Sequence, residues 1–98
     1  MERLRPQAHL QFREGSLYTS CPVEDAPILI GGRHGNIRAP GATVSRQQAR
    51  IYRAEGRVWI EDLGGDGVWV NGLKVERAPL ANRDQIQVGR LELQFWEG

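Results

Sequence analysis

The sequence predicts an all-β fold, a sandwich or barrel of short antiparallel strands, and three observations carry that prediction. Runs of β-forming residues recur about every 8–12 residues with turn signals between them. Within the runs, apolar and polar residues alternate, as in an antiparallel sheet with one solvated face. No segment keeps an i, i+3, i+4 apolar spacing through three turns, so no amphipathic helix competes.

Residues Met1 to Gln7 read as a loose lead-in. His9-Leu10-Gln11-Phe12-Arg13 alternates with period two, Leu10 and Phe12 to one side. Glu14-Gly15 turns, and Leu17-Tyr18-Thr19 returns as the second arm of a hairpin. Prolines and acids make Pro22 to Pro27 a loop. Ile28-Leu29-Ile30 is a short apolar strand halted by Gly31-Gly32. Gly31 to Thr43 is mostly irregular, with Ile37 as its apolar anchor and Arg33, His34 and Arg38 as its bases. Gln48 to Arg53 resumes as strand, Ala54-Glu55-Gly56 turns, and Arg57 to Glu61 comes back. Leu63 to Gly67 is a glycine-rich loop with Asp66 at its tip. The clearest hairpin is Val68-Trp69-Val70, Asn71-Gly72, Leu73-Lys74-Val75, because Asn-Gly supplies the positive φ angles of a type I′ turn. A loop follows from Glu76 to Asp84, then Gln85 to Val88, a Gly89-Arg90 turn, and Leu91 to Phe95 with Leu91, Leu93 and Phe95 on one face. Trp59, Trp69 and Trp96 lie in or beside strands, where tryptophan serves core or cross-strand packing more often than a binding surface.

Ninety-eight residues bound one domain, 1–98, large enough to bury a core without disulfide or metal staples. A net charge of +1 excludes a strong overall pull toward nucleic acid or membrane, and no basic stripe interleaved with aromatics marks a nucleic-acid binder. Lys74 is the only lysine and every other cation is arginine, which suits planar, bidentate anion contacts and equally reflects a GC-rich genome. Cys21 is alone, so no internal disulfide or cysteine-based metal site is expected, and a reducing cytosol fits. No run approaches the ~18 apolar residues of a membrane span. Met1 to Pro6 is too polar for a signal peptide. A soluble, cytoplasmic protein without a cofactor is the expectation.

Candidate chemistry gathers in Thr43-Val44-Ser45-Arg46-Gln47-Gln48-Ala49-Arg50-Ile51. Ser45 and Arg46 stand where loop becomes strand, a short neutral donor beside a permanent forked cation, and that pair suits a phosphate. A strand-start hydroxyl bonded to its own backbone, and a solvated Arg46, are the plainer alternatives. Gly31-Gly32 precedes no helix, so a phosphate-binding P-loop fails. Ser45, His34 and Asp66 have the residue types of a nucleophile, base and orienter, but nothing in their spacing demands catalysis, and no enzyme is predicted.

From about Ile28 to Phe95 the order of elements resembles the forkhead-associated (FHA) domain family. The matching residues are Ile30-Gly31 with Arg33 nearby, Val44-Ser45-Arg46, Ala49, Asp62-Leu63, Gly67, Val70-Asn71-Gly72, Leu80, Asp84, Ile86, Val88-Gly89, and Leu93 with Phe95. The resemblance implies an antiparallel β-sandwich of about eleven short strands. It also implies a recognition module without catalytic chemistry, binding phosphothreonine peptides through loops at one end. Arg33 would grip the phosphate, Ser45 would donate to it, and Arg46 and Asp66 would meet the flanking peptide. Gln48 and Asn71 would support the loops.

Some positions depart from the family pattern. The family's Ile-Gly-Arg is Ile30-Gly31-Gly32-Arg33 here, so either Arg33 has slipped one place or Gly32 holds the arginine position. The family histidine is Gln48, and the later loop carries Gly65, Asp66 and Val68 for Ser, Asn and Thr. An ionised Asp66 accepts where Asn donates. At ~6–8 Å from a phosphate it would repel each charge by roughly 2–3 kcal/mol before screening. The function expected is therefore phosphothreonine-peptide recognition with a partly altered pocket; the alternative is a phosphate-independent interaction or assembly module, with self-association open and Trp69 or Trp96 as its anchor.

Overall fold

The computed structural model describes residues 7–32, 35–39, 47–65 and 67–98. Among them, every regular element is a strand: β1 His9–Glu14, β2 Leu17–Pro22, β3 Ile28–Gly31, β4 Ile37–Arg38, β5 Gln47–Ala54, β6 Arg57–Asp62, β7 Val68–Val70, β8 Leu73–Lys74, β9 Arg77–Pro79, β10 Gln85–Val88 and β11 Leu91–Trp96. They form two sheets, a six-stranded one in the order β2-β1-β11-β10-β7-β8 and a five-stranded one in the order β4-β3-β5-β6-β9. The expected eleven-stranded sandwich is the observed fold.

Period-two alternation sets the core. Leu10 and Phe12 from β1, Val68 and Val70 from β7, Ile86 and Val88 from β10, and Leu91, Leu93 and Phe95 from β11 point inward from the first sheet. Ile28, Ile30, Ala49, Ile51, Val58 and Ile60 face them from the second. Full burial of a Leu, Ile or Phe side chain stabilises by about 1.5–3 kcal/mol each, so this double layer fixes the register of the strands that contribute to it.

Two-residue reversals link four of the antiparallel pairs. Asn71 (φ 51°) with Gly72 (φ 83°), and Glu55 (φ 55°) with Gly56 (φ 73°), carry two consecutive positive φ angles, the type I′ arrangement whose twist matches the flanking strands. Gly15 (φ 62°) and Gly89 (φ 57°) are positive at the first central position alone, as type II′ turns require. The expected hairpin across Asn71-Gly72 has this geometry, with Trp69 opposite Lys74 and Val70 opposite Leu73.

Two strands lie where irregular chain was expected. Ile37, only 2% exposed, anchors β4, which runs parallel to β3 with Ile30 opposite Ile37. The connection doubles back so tightly that a Cβ on Gly35 would lie 2.7 Å from Gly31 N and 2.8 Å from Ile37 O. Asn36 Oδ1 accepts the Leu29 N–H at 2.8 Å, and Ala39 N–H donates to Gly31 O at 2.8 Å, closing the base of this loop. Within the expected loop of residues 76–84, β9 pairs with β6, Trp59 opposite Pro79 and Glu61 opposite Arg77. Pro79 fits there because an edge strand leaves one side without ladder bonds.

The tryptophans pack across strands on the outer faces, outside the central core. Trp96 stacks on His9 at 6.5 Å and 13°, and Trp69 lies under Lys74 Nζ at 5.8 Å. Trp59 donates its indole N–H to Ala54 O at 3.0 Å and carries the Arg77 guanidinium 4.0 Å above its ring.

Candidate functional site

One end of the sandwich collects the segments that the sequence singled out. β3 leaves its sheet there at Gly31, β5 enters at Gln47, β6 ends at Asp62 and β7 begins at Val68. The described ends of the β3–β4, β4–β5 and β6–β7 connections therefore lie at one rim. Arg33, Ser45, Arg46 and Asp66, the four residues assigned to the phosphopeptide, lie outside the described residues, as does His34. What the structure describes is the frame that carries them.

That frame turns on a β-bulge. Ile30 pairs with Ala49, but Gly31 pairs with Gln47, so Gln48 is the extra residue on β5. A bulge re-aims the side chain it inserts. Here Gln48 and Ala49 are buried in succession, 4% and 0% exposed, where strict alternation would have turned one outward. Gln48 is the one buried polar residue in the described chain. Its main-chain carbonyl accepts the Leu63 N–H at 2.9 Å, tying the start of β5 to the start of the β6–β7 loop. Its side chain lies against Gly65: a Cβ there would sit 2.6 Å from Gln48 Cγ and 2.8 Å from Gln48 Cβ. The amide oxygen of Gln48 has no hydrogen-bond partner among the described residues.

Gln48 and Gly65 are thus a matched pair. Glutamine fills the volume into which a side chain at position 65 would project, and glycine is what that leaves room for. Two positions at which the sequence departs from the family pattern are one local packing arrangement. The loop is held further by Gly64 N–H donating to Asp62 Oδ1 at 2.8 Å, and by Asp62 N–H donating to Glu76 O at 2.8 Å. Gly67, at φ 113°, leaves room for the Trp69 ring, whose nearest carbon would be 2.7 Å from an added Cβ.

Asn71 braces a different region. Its side-chain N–H donates to Asp84 Oδ1 at 2.9 Å, and its Oδ1 accepts the Gln85 N–H at 2.9 Å. Asp84 Oδ2 in turn accepts the Ala81 N–H at 2.7 Å. Since β7 runs away from the rim, this network fastens the β9–β10 connection toward the opposite end. Among the described residues, Gln48 touches the β6–β7 loop and Asn71 does not.

Sequence reasoning missed a cluster on the outer face of the five-stranded sheet. Arg50 pairs with Glu61 at 2.6 Å and lies 4.3 Å over the Tyr52 ring. Arg77 donates through Nε to the Tyr52 hydroxyl at 2.6 Å. The alternation of Arg50 with Tyr52 and of Trp59 with Glu61 was visible, but only the β5–β6–β9 register brings Arg77 to them. The Arg50–Glu61 pair is partly solvated, which limits it to about 0–1 kcal/mol.

These features define an FHA domain. The chain belongs to the family described as "FHA domain", whose model matches residues 28–89. It is similar to the glycogen accumulation regulator GarA of Mycolicibacterium smegmatis, 36% identical over 77 residues that make up 76% of this chain and 49% of that protein. It is also similar to the oxoglutarate dehydrogenase inhibitor of Corynebacterium diphtheriae, 35% identical over 81 residues, 76% of this chain and 54% of that protein. The chain spans about half the length of these curated relatives. Among solved structures, one from a study of phosphothreonine-dependent FHA domain interactions superposes with a TM-score of 0.80 at 26% identity, covering 95% of this chain and 98% of that one. The FhaA FHA domain complexed with the intracellular domain of Rv3910 superposes at 0.76 and 28% identity, over 90% and 98% of the two chains.

Proposed function

We propose that this protein is a phosphothreonine-dependent protein-recognition module whose partner docks on the rim formed by the β3–β4, β4–β5 and β6–β7 connections. The observation that carries the reading is membership of the FHA family across residues 28–89, the span that holds all three rim segments. Arg33 and Ser45 take the phosphate, and Arg46 and Asp66 meet the flanking peptide. Residues 1–98 act as one unit, since β1 and β2 continue the same sheet as β10 and β11. The module is non-catalytic and works in the cytoplasm. Relatives named as a regulator and an inhibitor support a regulatory role through binding.

The test is capture from an oriented peptide library fixed at phosphothreonine, against the same library with threonine. Phosphate-selective enrichment is expected, and Ser45→Ala or Arg33→Ala should each weaken the best peptide by about 10–150-fold, one charge-assisted hydrogen bond of 1.5–3 kcal/mol. Equal enrichment from both libraries would overturn the reading. The Gln48–Gly65 packing favours a second reading, a phosphate-independent module with a rebuilt loop, and equal enrichment is the result that reading requires.

A further inference from the structure

Of Asn36, Asn71 and Asn82, only Asn71 precedes a glycine. That dipeptide carries chemistry of its own. The main-chain nitrogen after an asparagine can attack the side-chain carbonyl carbon, and glycine, having no side chain, shields that nitrogen least. The attack forms a bond between Gly72 N and Asn71 Cγ and expels the side-chain nitrogen as ammonia, leaving a five-membered imide. Water then adds across either imide C–N bond, giving aspartate or isoaspartate. The sequence of steps consumes water and releases ammonia, and needs no oxidant, reductant or enzyme.

The fold opposes the first step. A type I′ turn gives its first central residue a ψ of about +30°, which turns Gly72 N to roughly 150° from Asn71 Cβ about the Cα–C bond. Closing the imide ring needs those two atoms nearly eclipsed. Hydrogen bonds hold Asn71 in the unreactive geometry. Its main-chain N–H donates to Gln85 O at 2.7 Å, its Oδ1 accepts the Gln85 N–H at 2.9 Å, and its side-chain N–H donates to Asp84 Oδ1 at 2.9 Å. Cyclisation therefore requires the turn to open. The opening is small, because β8 is two residues long and Leu73 is already 72% exposed, so it proceeds without unfolding the core.

We propose that Asn71 is a site of spontaneous deamidation that its bonds to Asp84 and Gln85 hold shut, and that the product cannot rebuild those bonds. Aspartate at position 71 has two acceptor oxygens and no amide donor. One oxygen still accepts the Gln85 N–H, and the other stands 2.9 Å from Asp84 Oδ1, where the amide nitrogen was. Two carboxylates at that spacing repel. Asp84 turns away only by giving up the Ala81 N–H, which its Oδ2 accepts at 2.7 Å. Isoaspartate also adds a carbon to the main chain and spoils the two-residue turn. The reaction thus loosens the β9–β10 connection permanently and marks the age of the chain. It acts toward the end opposite the rim, so it stands apart from the phosphothreonine reading.

The test ages the chain at neutral pH, folded and in concentrated urea, and maps its peptides by a separation that resolves aspartate from isoaspartate. In urea Asn71 should convert ahead of Asn36 and Asn82. In the folded chain it should convert at least about tenfold more slowly than in urea, since only the open fraction reacts. Asp84→Ala lies far from Asn71 in sequence, so it should leave the urea rate unchanged and speed the folded rate roughly tenfold, the worth of one hydrogen bond to a charged group. Asp84→Asn keeps one oxygen for Asn71 or Ala81; it should give a smaller rise, and it serves should the alanine variant not fold. The product is tested by urea unfolding. Asn71→Asp should lower the folded-to-unfolded ratio at least about tenfold. Asn71→Asp combined with Asp84→Asn exchanges the amide and the carboxylate across the same contact and should restore most of that ratio. A folded rate equal to the urea rate, a folded rate unmoved by both Asp84 variants, or a double variant no more stable than Asn71→Asp would overturn the proposal.

Discussion

Gly65→Ala isolates the packing at the rim. Gly65 has no positive φ, unlike Gly64 and Gly67, so alanine meets no backbone penalty there. Its Cβ would instead stand 2.6 Å from Gln48 Cγ, 2.8 Å from Gln48 Cβ and 3.1 Å from Gln48 Cδ. Ordinary carbon contacts are about 3.5–4.0 Å. Gln48 Cβ is fixed by the β5 backbone, so the side chain cannot swing clear by a terminal rotation. Overpacking of this kind costs about 1–3 kcal/mol. Gln48→Ala alone removes a buried amide oxygen without a partner in the described residues. The desolvation it relieves, about 1–3 kcal/mol, offsets the void it leaves, so this single change should be nearly neutral. The double variant should then recover most of the Gly65→Ala loss, a coupling of about 1–2 kcal/mol. Urea unfolding followed by tryptophan fluorescence measures all four corners of the cycle. A Gly65→Ala cost within about 0.3 kcal/mol, or strict additivity, would refute the claim that Gln48 occupies the position-65 space.

Other substitutions test the rest of the frame. Glu55 holds φ 55° in its turn; Glu55→Asn should stabilise the domain by about 0.5–1 kcal/mol in the same assay, and a loss would show that Glu55 has an unseen partner. Asn71→Ala removes two side-chain hydrogen bonds and leaves a Cβ residue at φ 51°, for a cost of about 2–4 kcal/mol, of which Asn71→Gly should recover about 1; equal costs would refute the conformational part. Burial, and then the Glu24 carboxylate, raise the pKa of the Cys21 thiol above its ordinary value. Iodoacetamide labelling of the folded chain should therefore rise at higher pH than in a free peptide, and Glu24→Gln should move the profile down. The neutral thiol is favoured by the fold, so its contribution to stability is full below the ordinary pKa of about 8.5 and lost as pH climbs through the raised one; a peptide-like labelling profile would contradict this.

Elements whose physics is local were legible from the residues. Asn71-Gly72 announced its hairpin because left-handed backbone needs those residue types, and the Leu91-Leu93-Phe95 alternation announced both a strand and its buried face. The two strands that escaped notice lack such signals. β4 has a single apolar residue, Ile37, and exists because it lies against β3; β9 contains a charge and a proline and is a strand only through pairing with β6. The bulge at Gln48 was likewise invisible, since it appears as an irregularity between two strands far apart in sequence. The family resemblance implied a loop-supporting role for Gln48, whereas its packing against Gly65 depends on that bulge. Arg77 could not be joined to Tyr52 and Trp59 without the register. The family pattern pointed to the rim before any pairing was known, because its glycines and its Val-Ser-Arg element keep their order along the chain.

Docking of a phosphorylated partner at that rim is the point on which the proposed function stands. The direct measurement is amide chemical-shift mapping of the labelled domain, titrated with the best library phosphothreonine peptide and with its threonine counterpart. Shifts confined to Gly31, Gly32, Gln47, Gln48, Gly64 and Gly65 and their neighbours, seen with the phosphorylated peptide alone, are the predicted result. Identical shifts with both peptides, or shifts centred on β2 or the Asn71–Asp84 end, would contradict it.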